Sequence, residues 1–483
     1  MTGQQRCEPE LEGDPSGLDQ TPIDAPGRSR CRTLRRMAAN HSHSHDHGFV
    51  GGWRAWSGDP VLRAVLVGIV VAAVATVVGV IALWPSGEGR RTAIDNADEI
   101  GLVTDRLSAT VEEVRDRPCN YSSISDPQDC RTLTLTVHEG PEAGAVVALP
   151  EINLTTGRSI PDIGVGDRVV LGYEDSTNFY FYADRDRRTS LLWLAGLFAV
   201  VVVALGRFRG VMALLAMGAT LVALVAFVAP SALDGNDPLL VSVVAASAIA
   251  FISLYLTHGF TPTTTVALAG TLGALGLTLG LSWVFFELAQ FTGLASEDAL
   301  ILPFIAENLD VSALLLGGAV IGALGALDDV TVTQVATVAE LRRHSPHLPT
   351  SELVASGIRV GRDHIASTVN TLLLAYAGAS MPLILLFAVS DQPLQMVANS
   401  ELIAVEIVRT LCGSLGLVAA VPITTTLAAA VFRPSTALQE APSNDSQQSS
   451  EAQENPENPP ATGDEDEPRR EPRWEDFGPI DDH

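Results

Sequence analysis

Apolar residues in this chain fall into long blocks at 61–84, 191–206, 210–229, 239–257, 264–288, 311–327, 367–389 and 403–432, separated by stretches rich in charge. Each block comes near the ~20 residues that a hydrocarbon core of ~30 Å requires of a helix. The pattern therefore predicts an α-helical polytopic membrane protein with about eight transmembrane helices. The first block is too long for a removed signal peptide and lacks its small-residue cleavage pattern, so it is expected to be retained. Between the first two blocks the period changes. Leu133, Leu135 and Val137 alternate, and short apolar runs follow at 145–149, 168–173 and 179–182. Breaks at Glu139-Gly140-Pro141 and Val165-Gly166-Asp167 punctuate them, and the first strands are expected at 103–105 and 110–112. Period-two runs of this length predict a small all-β domain, barrel or sandwich, between helices 1 and 2.

Both ends of the chain are rich in Pro, Gly, Ser and charge and carry no apolar period, so they are expected to be disordered. The expected organisation is a leader at 1–58, helix 1 at 61–84, a β-rich domain at 86–189, a bundle of about seven helices at 191–432, and an acidic tail at 434–483. Arginines set the expected orientation. Arg28, Arg30, Arg32, Arg35 and Arg36 precede helix 1, while Arg207 and Arg209 share one loop and Arg342, Arg343, Arg359 and Arg362 another. Asp234, Asp237, Glu297, Asp298, Glu307, Asp310 and Asp391 occupy the alternate loops. The positive-inside rule then places both termini in the cytoplasm of a bacterial cell and the β domain outside. Arg185, Arg187 and Arg188 run against that assignment, offset in part by Asp184 and Asp186.

Composition narrows the class. Hydrophobic residues make up 47% of the 483, and the formal charge is −26. With that charge and no basic stripe to track phosphates, no nucleic-acid partner is expected. Every basic side chain is Arg, which points to a GC-rich bacterial genome. The partners this class allows are the lipid bilayer, a small solute or cation, and further copies of the chain. Of the five cysteines, Cys119 and Cys130 lie close together in the β-rich region, where an oxidising setting would let a disulfide persist. His41, His43, His45 and His47 form an alternating imidazole tract that either wraps a borderline divalent metal or stays a solvated low-complexity segment.

The densest chemistry lies in VSALLLGGAVIGALGALDDVTVTQVATVAELRR, from Val311 to Arg343. It opens as a Gly-studded apolar helix, reaches Asp328 and Asp329, and is expected to continue as a second, amphipathic segment. Thr331, Thr333, Gln334, Thr337 and Glu340 would form its polar side. Two adjacent carboxylates at a membrane boundary are costly unless hydrated, paired or bound to a cation. Two readings stay open, a cation or proton site and a helix-terminus anchor. Asn370 and His364 are the groups expected to join the acids if the site is functional. Glu406 and Arg409, three apart, are expected to neutralise one another. No enzyme activity and no cofactor are expected. An aspartyl protease needs its acids on separate helices, and neighbours on one helix point about 100° apart. No Gly-x-x-x-x-Gly-Lys-Ser/Thr loop is present for a nucleotide.

The stretch from Gly322 to Glu340, with Gly357-Ile-Arg-Val-Gly-Arg-Asp-His364 and Asn370-Thr-Leu-Leu-Leu-Ala-Tyr-Ala-Gly378, resembles the YibE/F family of bacterial multi-pass membrane proteins. The resemblance covers most of residues 191–432, and the β region resembles the extracytoplasmic segment of such proteins. Asp328 matches the acidic position expected there. The resemblance implies membrane class and topology and leaves the substrate open. The leading expectation is a permease or exporter of a small solute or cation in the cell membrane, with Asp328 and Asp329 at the inner mouth. The competing one is a non-transporting scaffold or envelope-assembly factor that binds a partner through its β domain. Convergence of Asp328, Asn370 and His364 favours transport; a dry Gly-packed bundle favours the scaffold.

Overall fold

The computed structural model describes residues 60–433 apart from 103, 124–126, 141, 155–161, 175–176 and 390–391. The histidine tract and both charged ends lie outside the described residues. Helix α1 (Pro60–Ala82) is followed by a short amphipathic helix α2 (Glu88–Glu99) and by strands β1 (Asp105–Pro118), β2 (Asp129–Val137), β3 (Val146–Ala148), β4 (Ile152–Asn153), β5 (Arg168–Glu174) and β6 (Phe179–Arg185). These strands form one antiparallel sheet in the order β3-β2-β1-β5-β6, with β4 paired to the far end of β2.

Three expectations for this region are corrected. The region is not all-β, because its first twelve ordered residues after the Pro85-Ser-Gly87 turn are α2. The strand expected at 110–112 and the last residue of the one expected at 103–105, Asp105, belong to a single strand, β1. The sheet is a single open one, with β3 and β6 at its edges, and not a barrel or sandwich. Alternation explains its core. Leu107, Ala109 and Val111 of β1 face the same side as Leu133, Leu135 and Val137 of β2 and Val169 and Leu171 of β5. Glu112 is the extra residue of a bulge that shifts the β1–β2 register between Val111 and Glu113. Cys119 and Cys130 are joined in a disulfide that closes the β1–β2 connection.

The rest of the chain is helical: α3 (Arg188–Ala223), a π-helical stretch at Leu224–Val228, α4 (Ala229–Leu233), α5 (Pro238–His258), α6 (Pro262–Ala289), α7 (Glu297–Ile305), α8 (Val311–His344), α9 (Thr350–Ala379), α10 (Met381–Val389), α11 (Leu394–Asn399) and α12 (Glu401–Val431). Among the described residues six helices are long and apolar enough to cross a membrane, or seven if the α9–α10 pair, bent by 63°, counts as one span. One of the six, Arg188–Leu233, would be about 69 Å long if straight, more than twice a hydrocarbon core. It is not straight. Arg207 has φ 51° and ψ −129°, and an added Cβ on Gly210 would stand 2.3 Å from the Val202 carbonyl oxygen. Residues eight apart in a straight helix are about 12 Å apart, so the chain doubles back at Arg207 into two arms.

Local chemistry starts the bundle helices. Asp237 caps α5, its carboxylate accepting from the Leu239 and Leu240 amides, and Thr261 caps α6 through the Thr264 amide, each with Pro at the first helical position. Asp310 caps α8 through the Ala313 amide. Helices α6, α8 and α12 pack on one another, with α5 against α8 and α9 against α12. Their core includes Leu268, Leu275, Leu324, Leu327, Leu417 and Val421. On α12, Gly416 meets Thr278 of α6, and Thr424 meets Gly270, a reciprocal crossing of the two antiparallel helices.

Hydrogen bonds tie the loops into two ends. At the end that carries the sheet, the Asp234 carboxylate accepts from the Ser86 hydroxyl at 2.8 Å, the Gly87 and Gly89 amides at 3.0 and 2.8 Å, and the Ser86 amide. Asn96 donates to the Ile305 carbonyl at 3.0 Å, and the Gly293 amide donates to Glu401 at 2.6 Å. At the other end the Arg342 guanidinium donates to the carbonyls of Phe432, Pro346 and Leu348.

Candidate functional site

Helix α8 runs unbroken through Asp328 and Asp329 to His344. The expected junction between an apolar helix and a separate amphipathic segment is therefore absent, and the acid pair sits within one helix. Adjacent residues of a helix point about 100° apart, and this divides the pair. The Asp328 carboxylate turns inward to α5, where its Oδ2 accepts from the Ser253 hydroxyl at 3.1 Å. Its Oδ1 is buried and has no partner. Asp329 turns outward, its side chain 68% exposed, and its Oδ2 stands 4.0 Å from Nε2 of His364 on α9.

Helix α5 gives the depth. Its 21 residues span about 32 Å, close to a hydrocarbon core. Ser253 lies five residues before its last residue, His258, so Asp328 is about 8 Å inside the bundle from the end opposite the sheet. Leu327 and Val330 beside it are buried in the main core.

Two residues expected on the polar side of α8 are instead buried. The Thr331 hydroxyl meets that of Thr271 on α6 at 2.6 Å. Gln334 Nε2 donates to the Gly357 carbonyl of α9 at 2.8 Å and to the Thr425 hydroxyl of α12 at 2.6 Å. Thr333 and Glu340 remain exposed. Below Asp328, then, helices α6, α8, α9 and α12 are joined by satisfied polar contacts.

The expected convergence is partial. His364 reaches Asp329, but Asn370 stands on an exposed position of α9 and makes no contact with Asp328. Nearer the sheet, the Arg409 guanidinium donates to Glu406 at 2.8 Å, as their spacing suggests, and Glu406 lines a cleft of about 210 Å³ with Tyr376, Ser380 and Thr410. Among the described residues no three His, Cys, Asp or Glu side chains gather as a metal-holding group. Ser253 is the partner that sequence reading missed. A lone Ser in an apolar span carries no signal of its own, and its pairing with Asp328 crosses 75 residues of chain.

The arrangement of α5, α6, α8, α9 and α12 around Asp328 lies inside the one region that comparison identifies. A family model described as YibE/F-like protein matches residues 194–434. Residues 194–434 belong to the YibE/F-like family. The match takes in both arms of α3, the acid pair and every helix packed around it, and leaves out α1, α2 and the sheet. No curated protein and no solved structure matches the chain.

Proposed function

We propose that this YibE/F-like protein is a permease or exporter of a small solute or cation, with Asp328 at the inner mouth of its pathway. One observation carries the reading: a carboxyl group sits within the membrane-crossing bundle with one oxygen on Ser253 and the other buried without a partner. Burying an ionisable group in a membrane is expensive, and it is tolerated where the group serves a cavity, an ion or a proton.

The topology that goes with this reading has eight spans. The two arms that meet at Arg207 count separately and the bent α9–α10 pair counts once. Arg207, Arg209, Arg342, Arg343, Arg359 and Arg362 lie toward the end opposite the sheet, so the positive-inside rule makes that end cytoplasmic and the sheet extracytoplasmic. This puts both termini in the cytoplasm of a bacterial cell membrane.

The scaffold reading draws on a different observation, the Gly–Thr crossing of α6 and α12, which brings the two helix backbones close together. Whole-cell elemental analysis separates the two. A deletion strain is complemented with wild type or with Asp328→Asn, across a panel of divalent metals and pH values. Transport requires the variant to match the deletion in the content of one ion at equal protein level. If the variant restores every ion and every envelope phenotype, the scaffold reading replaces it.

A further inference from the structure

We propose that Asp328 binds and releases a proton as the coupling step of the pathway, an inference that rests on the transport reading of the same site. A carboxylate held in a bundle needs a cation or a proton, and the helices packed around Asp328 bring no cation to it. Helix α6 has no ionisable side chain from Pro262 to Phe286. On α5 the ionisable residues are Tyr255, whose hydroxyl pairs with that of Thr265 at 3.3 Å, and His258, exposed at the helix end about 8 Å beyond Ser253, and the group that bonds Asp328 is the neutral Ser253 hydroxyl. On α12, Arg409 is engaged by Glu406 toward the sheet end, and Cys412 is a buried thiol that brings no positive charge. From α9, His364 stands beside Asp329, while Arg359, Arg362 and Asp363 are exposed. On α8 itself the nearest charge is the acid of Asp329, which opposes a second negative charge next to it.

The free oxygen of Asp328 is Oδ1, buried and accepting from no donor, and a proton bound there removes the charge without a counter-ion. Water reaches the neighbouring residue: the Asp329 side chain is 68% exposed one position along α8, with His364 Nε2 of α9 4.0 Å from its carboxylate. The pieces of the site are an exposed carboxylate at Asp329, a half-buried imidazole beside it, a half-buried carboxyl at Asp328 with one buried oxygen, and a serine hydroxyl that orients that carboxyl. Proton uptake neutralises Asp328 and allows it to stay in the apolar core; release recharges it and favours a rearrangement that exposes it. Net charge balances: the carboxylate takes up one proton before the rearrangement and releases the same proton after it.

The test needs no substrate. A lipid-soluble carbodiimide adds to a protonated carboxyl in an apolar setting, and the adduct is read by mass spectrometry on the full-length protein in lipid vesicles. The adduct is expected on the peptide that holds Asp328, lost in Asp328→Asn, restored in Asp328→Glu, and about tenfold weaker at alkaline than at acidic pH. Sodium and divalent ions should leave it unchanged. Absence of an adduct at every pH, or protection by a metal ion, overturns the proposal. If Asp328→Asn still matches the deletion in ion content while wild type takes no adduct, transport stands and proton coupling fails. If wild type is labelled and Asp328→Asn complements fully, the proton site stands apart from transport and the coupling role fails.

Discussion

Gly416 of α12 lies so close to Thr278 of α6 that a methyl group in its place would stand 1.8 Å from the Thr278 hydroxyl oxygen and 3.1 Å from its Cβ. Rotating the hydroxyl away cannot relieve the second contact, and it would break the bond from Thr278 to the Ala274 carbonyl at 2.9 Å. Gly416→Ala is therefore expected to lower the unfolding free energy by about 1–3 kcal/mol, the usual cost of overpacking. Gly270→Ala, against Thr424, should cost a similar amount. Denaturant titration in detergent checks this. Thr278→Ala in the Gly416→Ala background should recover part of the loss, and strict additivity would show that the two side chains do not meet.

Gln334 joins three helices through one amide group. Replacing it with Leu leaves the Gly357 carbonyl and the Thr425 hydroxyl buried without that donor. The expected loss is about 1–3 kcal/mol. Hydrogen exchange should speed at the start of α9 and leave the sheet unaffected, since the sheet shares no contact with Gln334.

The docking of α2 should weaken in acid. Partial burial pushes the Asp234 carboxyl up, but hydrogen bonds from the Ser86 hydroxyl and the Gly87, Gly89 and Ser86 amides outweigh that and hold it below the usual carboxylate range. Its stabilising contribution is then full above the unfolded-chain value of about 4 and is lost as pH falls through the lower folded value. A spin-label distance between α2 and α7 should lengthen in that acid window. Asp234→Asn should loosen α2 at neutral pH and flatten the acid response. A distance that stays constant as the wild type is acidified would mean that Asp234 does not hold α2.

Reduction of the Cys119–Cys130 bond opens a loop closed across a sequence separation of 11. Loop-closure entropy gives an expected loss of about 2–4 kcal/mol in the sheet. Thermal melts followed by β-sheet circular dichroism, with and without reductant, measure it. Cys119→Ser should reproduce the reduced protein, and reductant should then have no further effect.

Apolar length and arginine placement were enough to read a membrane class and the main helical blocks, because transfer into a bilayer is a sum over each segment and needs no neighbours. Leu133, Leu135 and Val137 announced a strand for the same reason, since alternation is a local property. Helix α2 was not legible as a helix. Only Ala93, Ile94 and Ala97 of its twelve residues are apolar, and its ends are held by Asp234 and Ile305, more than a hundred residues away.

The same division applies to the site. Asp328 and Asp329 stood out in the sequence because adjacent acids beside an apolar block are rare and costly. Which of them is buried was not readable, because helical geometry separates the pair by about 100° but does not say which side meets a neighbour. That was decided by α5 running alongside α8 with Ser253 opposite Asp328, and by α9 bringing His364 to Asp329 while leaving Asn370 exposed. The sequence by itself determined the membrane class, the long apolar blocks and the chemistry available at each position, since these are local free energies. Only the tertiary structure decided which acid lies in the core and which groups face it, because those depend on helix packing between residues distant in the chain.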